Sequence, residues 1–244
     1  MPLFRASGPQ NEGRRSLSQV KMLKSRWGTF LLAVAALAAI GVSLFLMTGQ
    51  GEAQLEELTD GQVNAILDAA EVQANLEPSD LRRDADGNIL TTKVHIAVVD
   101  RDGELLGLRS MDDAWVGSID IAKAKAYTAV AFSSDENALT SRSIGCLSQP
   151  GASLWHIGNS NQSRHDGAED IEERGLIEFP GGIPLYKGGH LVGAIGVSGD
   201  GVEPEENVAE AGAVELGPDE DIRIDTVTDG AVPYIDPGDS GFPC

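Results

Sequence analysis

Basic residues are scarce in this chain. Its 244 residues include 18 lysines and arginines against 38 aspartates and glutamates, a formal charge of −20. Six of the 18 precede Trp27, so residues 54–244 carry 12 basic and 36 acidic residues, a formal charge of −24. With aromatics at only 5% as well, the sequence offers neither cations for phosphates nor rings for bases, which excludes nucleic-acid binding. An acidic surface instead keeps an exported protein soluble and attracts cations. Cysteine is limited to Cys146 and Cys244. No CxxC spacing exists, so a cysteine zinc site is excluded, while one disulfide within a chain or between two remains open in an oxidising compartment.

Several catalytic and phosphate-binding motifs are missing too. The glycine-rich stretch FPGGIPLYKGGHLVGAIGVSGDG, Phe179 to Gly201, has no Lys-Ser or Lys-Thr after its glycines, so it is no Walker loop. Its GAIGVSG run spaces glycines at 193, 196 and 199 inside a segment that reads as strand, not as a GxGxxG turn between strand and helix. Around Ser198 the pattern GVSGD lacks the last glycine of a nucleophile elbow. DADGN, Asp84 to Asn88, would place Arg82 and Lys93 where a calcium loop needs carboxylates, and so reads as a turn. No acid–base pair or nucleophile constellation stands at recognisable spacing, which argues against an enzyme.

One long apolar run is present. Residues 1–26 are basic, and residues 27–47, Trp27 to Met47, hold no charged side chain. A basic flank before an apolar segment of bilayer-crossing length predicts a membrane anchor or an export signal; Gly51 and Ala53 also suit a cleavage site. Either way the rest of the chain is expected outside the cytoplasm, in the periplasm or at the cell surface. Residues 54–215 are expected to form a single domain, with 216–244 an acidic, Gly- and Pro-rich tail that wraps the domain or a partner subunit.

Within the domain the pattern predicts a helix after Thr59 and Gln62, which fit a capping box, with Val63, Ile66, Leu67, Ala70 and Ala74 on one face. Pro78 to Asn88 reads as turn. Val94–Val99 and Glu104–Arg109 flank DRDG as a hairpin, and the lone His95 in its first strand is expected to be a packing residue. Ser118 is the expected N-cap of an alanine-rich helix to about Phe132, in which Thr128 is expected to bond back to a preceding carbonyl. Cys146 to Phe179 is turn-rich and long for a connection. A second hairpin, Ile183–Tyr186 and His190–Ser198, and a helix from EPEEN follow, and IRIDTV suits an edge strand. This order implies an α+β fold with an antiparallel sheet. In the last strand Val192, Ala194, Gly196 and Ser198 form a nearly bare face, suited either to a closely packed helix or to a flat ligand.

The segments AKAKAYTAVAFS, QPGASLWHI and FPGGIPLYKGGHLVGAIGVSGDGVEPEENVAEAGA resemble, in that order, the signatures of the GlcG/HbpS family of haem-binding domains. The resemblance implies a profilin-like antiparallel sheet flanked by helices, assembly into homo-oligomers, and haem or a related tetrapyrrole as cofactor. It implies that Tyr127 and Thr128 are pocket residues and that Lys123 or Lys125 pairs with a haem propionate. Trp155 stands where the family has tyrosine. His156 departs from the small residue expected there, and as a candidate axial ligand of haem iron it is an expectation of this sequence alone. The combined expectation is an exported, non-catalytic haem-binding protein for scavenging or redox sensing. Its rivals are a small-molecule or haem-processing enzyme, and an acidic oligomeric interaction protein for a membrane receptor.

Overall fold

Thr59 starts the first helix as its capping box predicts. Its hydroxyl accepts from the Gln62 amide (3.3 Å) while the Gln62 side chain accepts from the Thr59 amide (3.1 Å), satisfying two amides the helix end leaves unpaired. Helix α1, Asp60–Ala74, buries Val63, Ile66, Leu67, Ala70 and Ala74, the predicted face. The computed structural model describes residues 57–155 and 175–236. The basic flank, the apolar run 27–47, His156 and Cys244 lie outside the described residues, among which no helix is long and apolar enough to cross a membrane.

Both predicted hairpins form. Strands β3, His95–Asp100, and β4, Leu105–Ser110, turn through DRDG, where the Asp100 carboxylate accepts from the amides of Asp102 (2.9 Å) and Glu104 (2.8 Å). Strands β5, Gly182–Lys187, and β6, His190–Ser198, turn through Gly188 (φ 59°) and Gly189 (φ 83°), left-handed angles that match the twist of a two-residue hairpin. The sheet runs β4-β3-β6-β5, antiparallel throughout. A mixed helix and antiparallel-sheet fold results, as the element order implies.

The register assigns the two faces. Val98, Gly107 and Ile195 stand in one row and meet α1 together with α4, Val202–Ala213, whose Gly212 approaches Ile195 and Ala70. On this face Arg109 of β4 pairs with Asp68 and Glu71 of α1. Ala97, Leu108 and Gly196 form a row on the opposite face, covered by α2, Ser118–Ala131. A Cβ at Gly196 would run into the Ala122 carbonyl oxygen and the Ala126 amide nitrogen. The bare face of β6 is therefore bare for a helix: Ala122, Ala126 and Ala129 are fully buried against the sheet.

Four local readings are corrected. Pro78 to Asn88 is not all turn: Pro78–Arg83 forms β1, paired with β2, Ile89–Thr91. The ribbon is fastened by the Asp200 carboxylate, which accepts from the amides of Asp80 (2.9 Å) and Leu81 (3.2 Å) and from the hydroxyls of Ser79 and Thr92. Ser118 is the first helical residue rather than the cap, which is Gly117. The turn-rich segment begins within a helix, α3, Ser141–Leu147, with Thr140 as its cap. IRIDTV is no edge strand, because Ile224–Val227 forms a short helix, α5, after a single bridge between Ala138 and Arg223.

The tail lies on its own domain as far as Asp236. Thr140 and Ser143 of α3 donate their hydroxyls to the carbonyls of Tyr234 (2.6 Å) and Pro233 (2.8 Å), and Tyr234 is buried. Cys146, one turn further along α3, is disulfide-bonded.

Candidate functional site

Helix α2 distributes its side chains over three environments. Ala122, Ala126 and Ala129 face the sheet, Lys125 and Thr128 enter the interior, and Asp120, Ile121, Lys123, Ala124 and Tyr127 line a cleft of about 510 Å³. The rest of the lining comes from Val99, Gly103 and Leu105 of the β3–β4 hairpin and from Gly175 and Ile177. The volume lies within the ~300–1,000 Å³ usual for small-molecule sites, and apolar walls with few polar groups are the usual lining.

Lys123 is the cleft's cation. Its ammonium lies 3.4 Å from the Asp120 carboxylate, with the two side chains 41% and 92% exposed. A pair so open to water gains little from its own attraction, so the ammonium can turn to a ligand carboxylate at small cost. Tyr127 follows one helical turn later on the same face. Lys123 and Tyr127 are thus the two sequence-predicted residues that the structure brings together.

Thr128 is close by but does not line the cleft. Its hydroxyl donates to the Ala124 carbonyl (2.8 Å), the expected back-bond, and accepts from the Ile177 amide (2.9 Å). It therefore holds Ile177 against α2, a positioning role for a side chain that is fully buried. Lys125 requires a firmer correction. It is 1% exposed, donates to the Val197 carbonyl (3.0 Å) and pairs with Glu205 of α4. Burial pushes its ammonium below the ordinary lysine range, and Glu205 beside it opposes that shift. An ammonium held there does not reach a propionate. The other Glu205 oxygen accepts from the amides of Gly199 (2.6 Å) and Asp200 (2.8 Å), so one carboxylate ties α2, β6 and the start of α4 together.

Trp155 is 40% exposed and stands apart from the cleft lining. His95, as expected, is a packing residue: Nδ1 meets the Ser110 hydroxyl (2.8 Å) and Nε2 the Trp115 carbonyl (2.9 Å). A carbonyl only accepts, so the proton resides on Nε2. Among the described residues no three His, Cys, Asp or Glu side chains group as a metal site.

The sequence reading missed a second buried pair. Arg142 of α3 meets Glu206 of α4 through Nε (2.9 Å) and Nη2 (2.8 Å), with the side chains 1% and 3% exposed, and the Asp236 amide adds a bond to the same carboxylate (3.0 Å). Burial raises the Glu206 carboxyl above its ordinary range, with Arg142 pulling it back. Both buried pairs join residues far apart in the chain, so no local spacing announces them.

A family model described as haem degrading protein HbpS-like matches residues 79–214. The chain belongs to the HbpS-like family. The match takes in α2 and the glycine-rich hairpin, two of the segments that carry the sequence resemblance. An uncharacterised 15.0 kDa protein from the dhaT–dhaS intergenic region of Citrobacter freundii is 36% identical over 121 residues, 50% of this chain and 74% of that protein. The corrinoid adenosyltransferase PduO of the same organism is 33% identical over 121 residues, and the HbpS-like chain spans only 31% of its length. Among solved structures, Klebsiella pneumoniae protein ORFY has a TM-score of 0.50 at 26% identity, covering 68% of this chain and 94% of that one. The PduOC:heme complex also has a TM-score of 0.50, at 23% identity over 66% and 96% of the two chains, a likeness of fold.

Proposed function

We propose that this HbpS-like domain binds haem, or a related tetrapyrrole, in the cleft between α2 and the β3–β4 hairpin. The observation that carries the reading is the pairing of Lys123 and Tyr127 on one helical face of a cleft with aliphatic walls. Those residues fit the group: Val99, Leu105, Ile121 and Ile177 offer apolar contact to a flat ring, and Lys123 offers a cation to its carboxylates. Haem, when bound, supplies a redox-active iron. Lys123 binds and orients, Thr128 keeps the Ile177 wall in place, and the aliphatic side chains exclude water. Support also comes from the family's description as haem degrading and from the PduOC structure of similar fold, solved with haem.

The wider role follows from the sequence. The basic flank and the apolar run 27–47 favour a domain held or released outside the cytoplasm, and the GlcG/HbpS resemblance favours a homo-oligomer working in haem scavenging or redox sensing without turnover. The family description favours a second reading, a haem-processing enzyme. Titration of the purified domain with haemin tests the first: a saturable Soret shift that weakens in Lys123→Ala is expected, and no saturable shift refutes it. Decay of the bound Soret band under a reductant would favour the enzyme.

A further inference from the structure

We infer that the disulfide at Cys146 controls haem affinity by fastening the C-terminal tail to α3, an inference that rests on the haem reading above. Cys146 is disulfide-bonded and buried on α3, and the sequence holds one other cysteine, Cys244, at the end of the tail. The tail already lies on this helix. Thr140 and Ser143 donate their hydroxyls to the Tyr234 and Pro233 carbonyls (2.6 and 2.8 Å), and the Asp236 amide donates to Glu206 (3.0 Å), the buried partner of Arg142. A bridge within the chain therefore closes a strap whose near end is in place. Residues 217–236 fall outside the family match at 79–214, so the strap is an addition to the family fold.

The same helix reaches the cleft. The fully buried Ser141 hydroxyl donates to the Phe179 carbonyl (2.6 Å) and accepts from the Gly182 amide (2.8 Å). Two residues before Phe179 stands Ile177, which lines the cleft and whose amide donates to Thr128 of α2 (2.9 Å). The segment 177–182 is thus hung between α2 and α3, and it keeps its place while both helices do. Helix α3 has only seven residues, SRSIGCL. Its length is well below the ~12–15 residues that make a helix even marginal alone, and its composition adds little propensity, so its order depends on the tail, the bridge and the Arg142–Glu206 pair.

A dithiol opens the bridge by thiol–disulfide exchange: its own two thiols become a disulfide, the S–S bond at Cys146 breaks, and two protons end on the two sulfurs of the protein. Helix α3 then loosens, Ile177 loses its fixed place in the cleft lining, and haem is held less tightly. Such coupling is reciprocal, so bound haem favours the closed bridge by the same factor.

The test titrates the whole chain with haemin, without reductant, as wild type and Cys244→Ser and as each of these combined with Ser141→Ala, and follows hydrogen exchange of the 177–182 amides alongside. The haemin Kd is expected to rise by about 5-fold or more in Cys244→Ser, within the usual range of coupling between sites, with faster exchange over 177–182. With Ser141→Ala present, losing the bridge still lowers Tm but no longer changes the Kd, a separation that a merely stabilising disulfide does not produce. Equal Kd values in wild type and Cys244→Ser overturn the inference and leave the haem reading intact. A Cys146 that remains oxidised in Cys244→Ser, read by mass after thiol labelling, overturns it as well. Wild type that binds no haemin overturns both.

Discussion

Replacing Gly196 with alanine tests the packing on which the cleft depends. The added Cβ would lie 2.5 Å from the Ala126 amide nitrogen and 2.9 Å from its Cβ, and closer still to the Ala122 carbonyl oxygen. Two of these obstacles are backbone atoms in the middle of α2, which no rotamer change removes. Restoring ordinary contact requires the helix to withdraw by roughly 1 Å, and overpacking of this kind costs about 1–3 kcal/mol, here toward the upper end because the obstacle is rigid. For a chain of this size about 3 kcal/mol corresponds to a fall in Tm of roughly 6–12 °C. Urea unfolding should show a lower midpoint at unchanged slope. Because α2 also carries Lys123 and Tyr127, haemin affinity should fall as well. Gly188→Ala is the control: its Cβ meets nothing within 4 Å, though φ is +59°, so only backbone strain of about 1–2 kcal/mol is expected, without effect on haemin. A Gly196→Ala protein within about 0.5 kcal/mol of wild type would refute the argument.

Three further outcomes follow. Lys123→Ala should leave stability unchanged, as open surface pairs contribute about 0–1 kcal/mol, whereas Lys125→Ala should cost about 3–5 kcal/mol by stranding the Glu205 carboxylate in the interior; equal unfolding midpoints for the two variants would sink the distinction. Reducing the disulfide at Cys146 should destabilise the domain by about 2–4 kcal/mol, read as a lower Tm in dithiothreitol, and an unchanged Tm would mean the bridge is dispensable. The Asp135 carboxyl is held below its usual range by His190, the Leu191 amide and Arg101; a depressed carboxyl stabilises above the ordinary carboxylate range of about 4 and loses that contribution as pH falls through its own value. The Tm gap between wild type and Asp135→Asn should therefore be widest at neutral pH and close in acid, and a gap independent of pH would contradict it.

Legibility in the sequence tracks the range of the interactions. The Thr59–Gln62 cap, the periodic face of α1, and the DRDG and KGGH turns are settled by residues within a few positions of one another, and all form as read. Strand β1 was hidden because its fastening is the Asp200 carboxylate, 119 to 121 positions away. Helix α3 was hidden because SRSIGCL is short and built of weak helix formers, held in place by the tail and by Glu206. The cleft was half legible. Lys123 and Tyr127 were named from the family segment, but Lys125 was named with them, and the carboxylate that removes it from the surface stands 80 positions on. The hairpin wall, Val99 and Leu105, carried no chemical signal at all.

Spacing along α2 explains why its two lysines fare so differently. A step of two residues turns a helix by about 200°, so Lys123 and Lys125 project to opposite sides. Lys123 and Tyr127, four apart, return to one side. The packing of Gly196 against Ala122 and Ala126 then fixes the rotation of the helix: with two backbone segments in contact there is no room for it to roll. A Cβ at position 196 acts against that restraint, whereas a change at Lys123 leaves it untouched. The same glycine that carries no chemistry therefore determines which lysine faces the cleft and which meets Glu205. That argument makes the double variant informative: if Gly196→Ala loosens the helix, adding Lys125→Ala should cost less than it does in wild type, since the Glu205 pair is already disturbed. Strictly additive losses would mean that helix position and buried pair are independent.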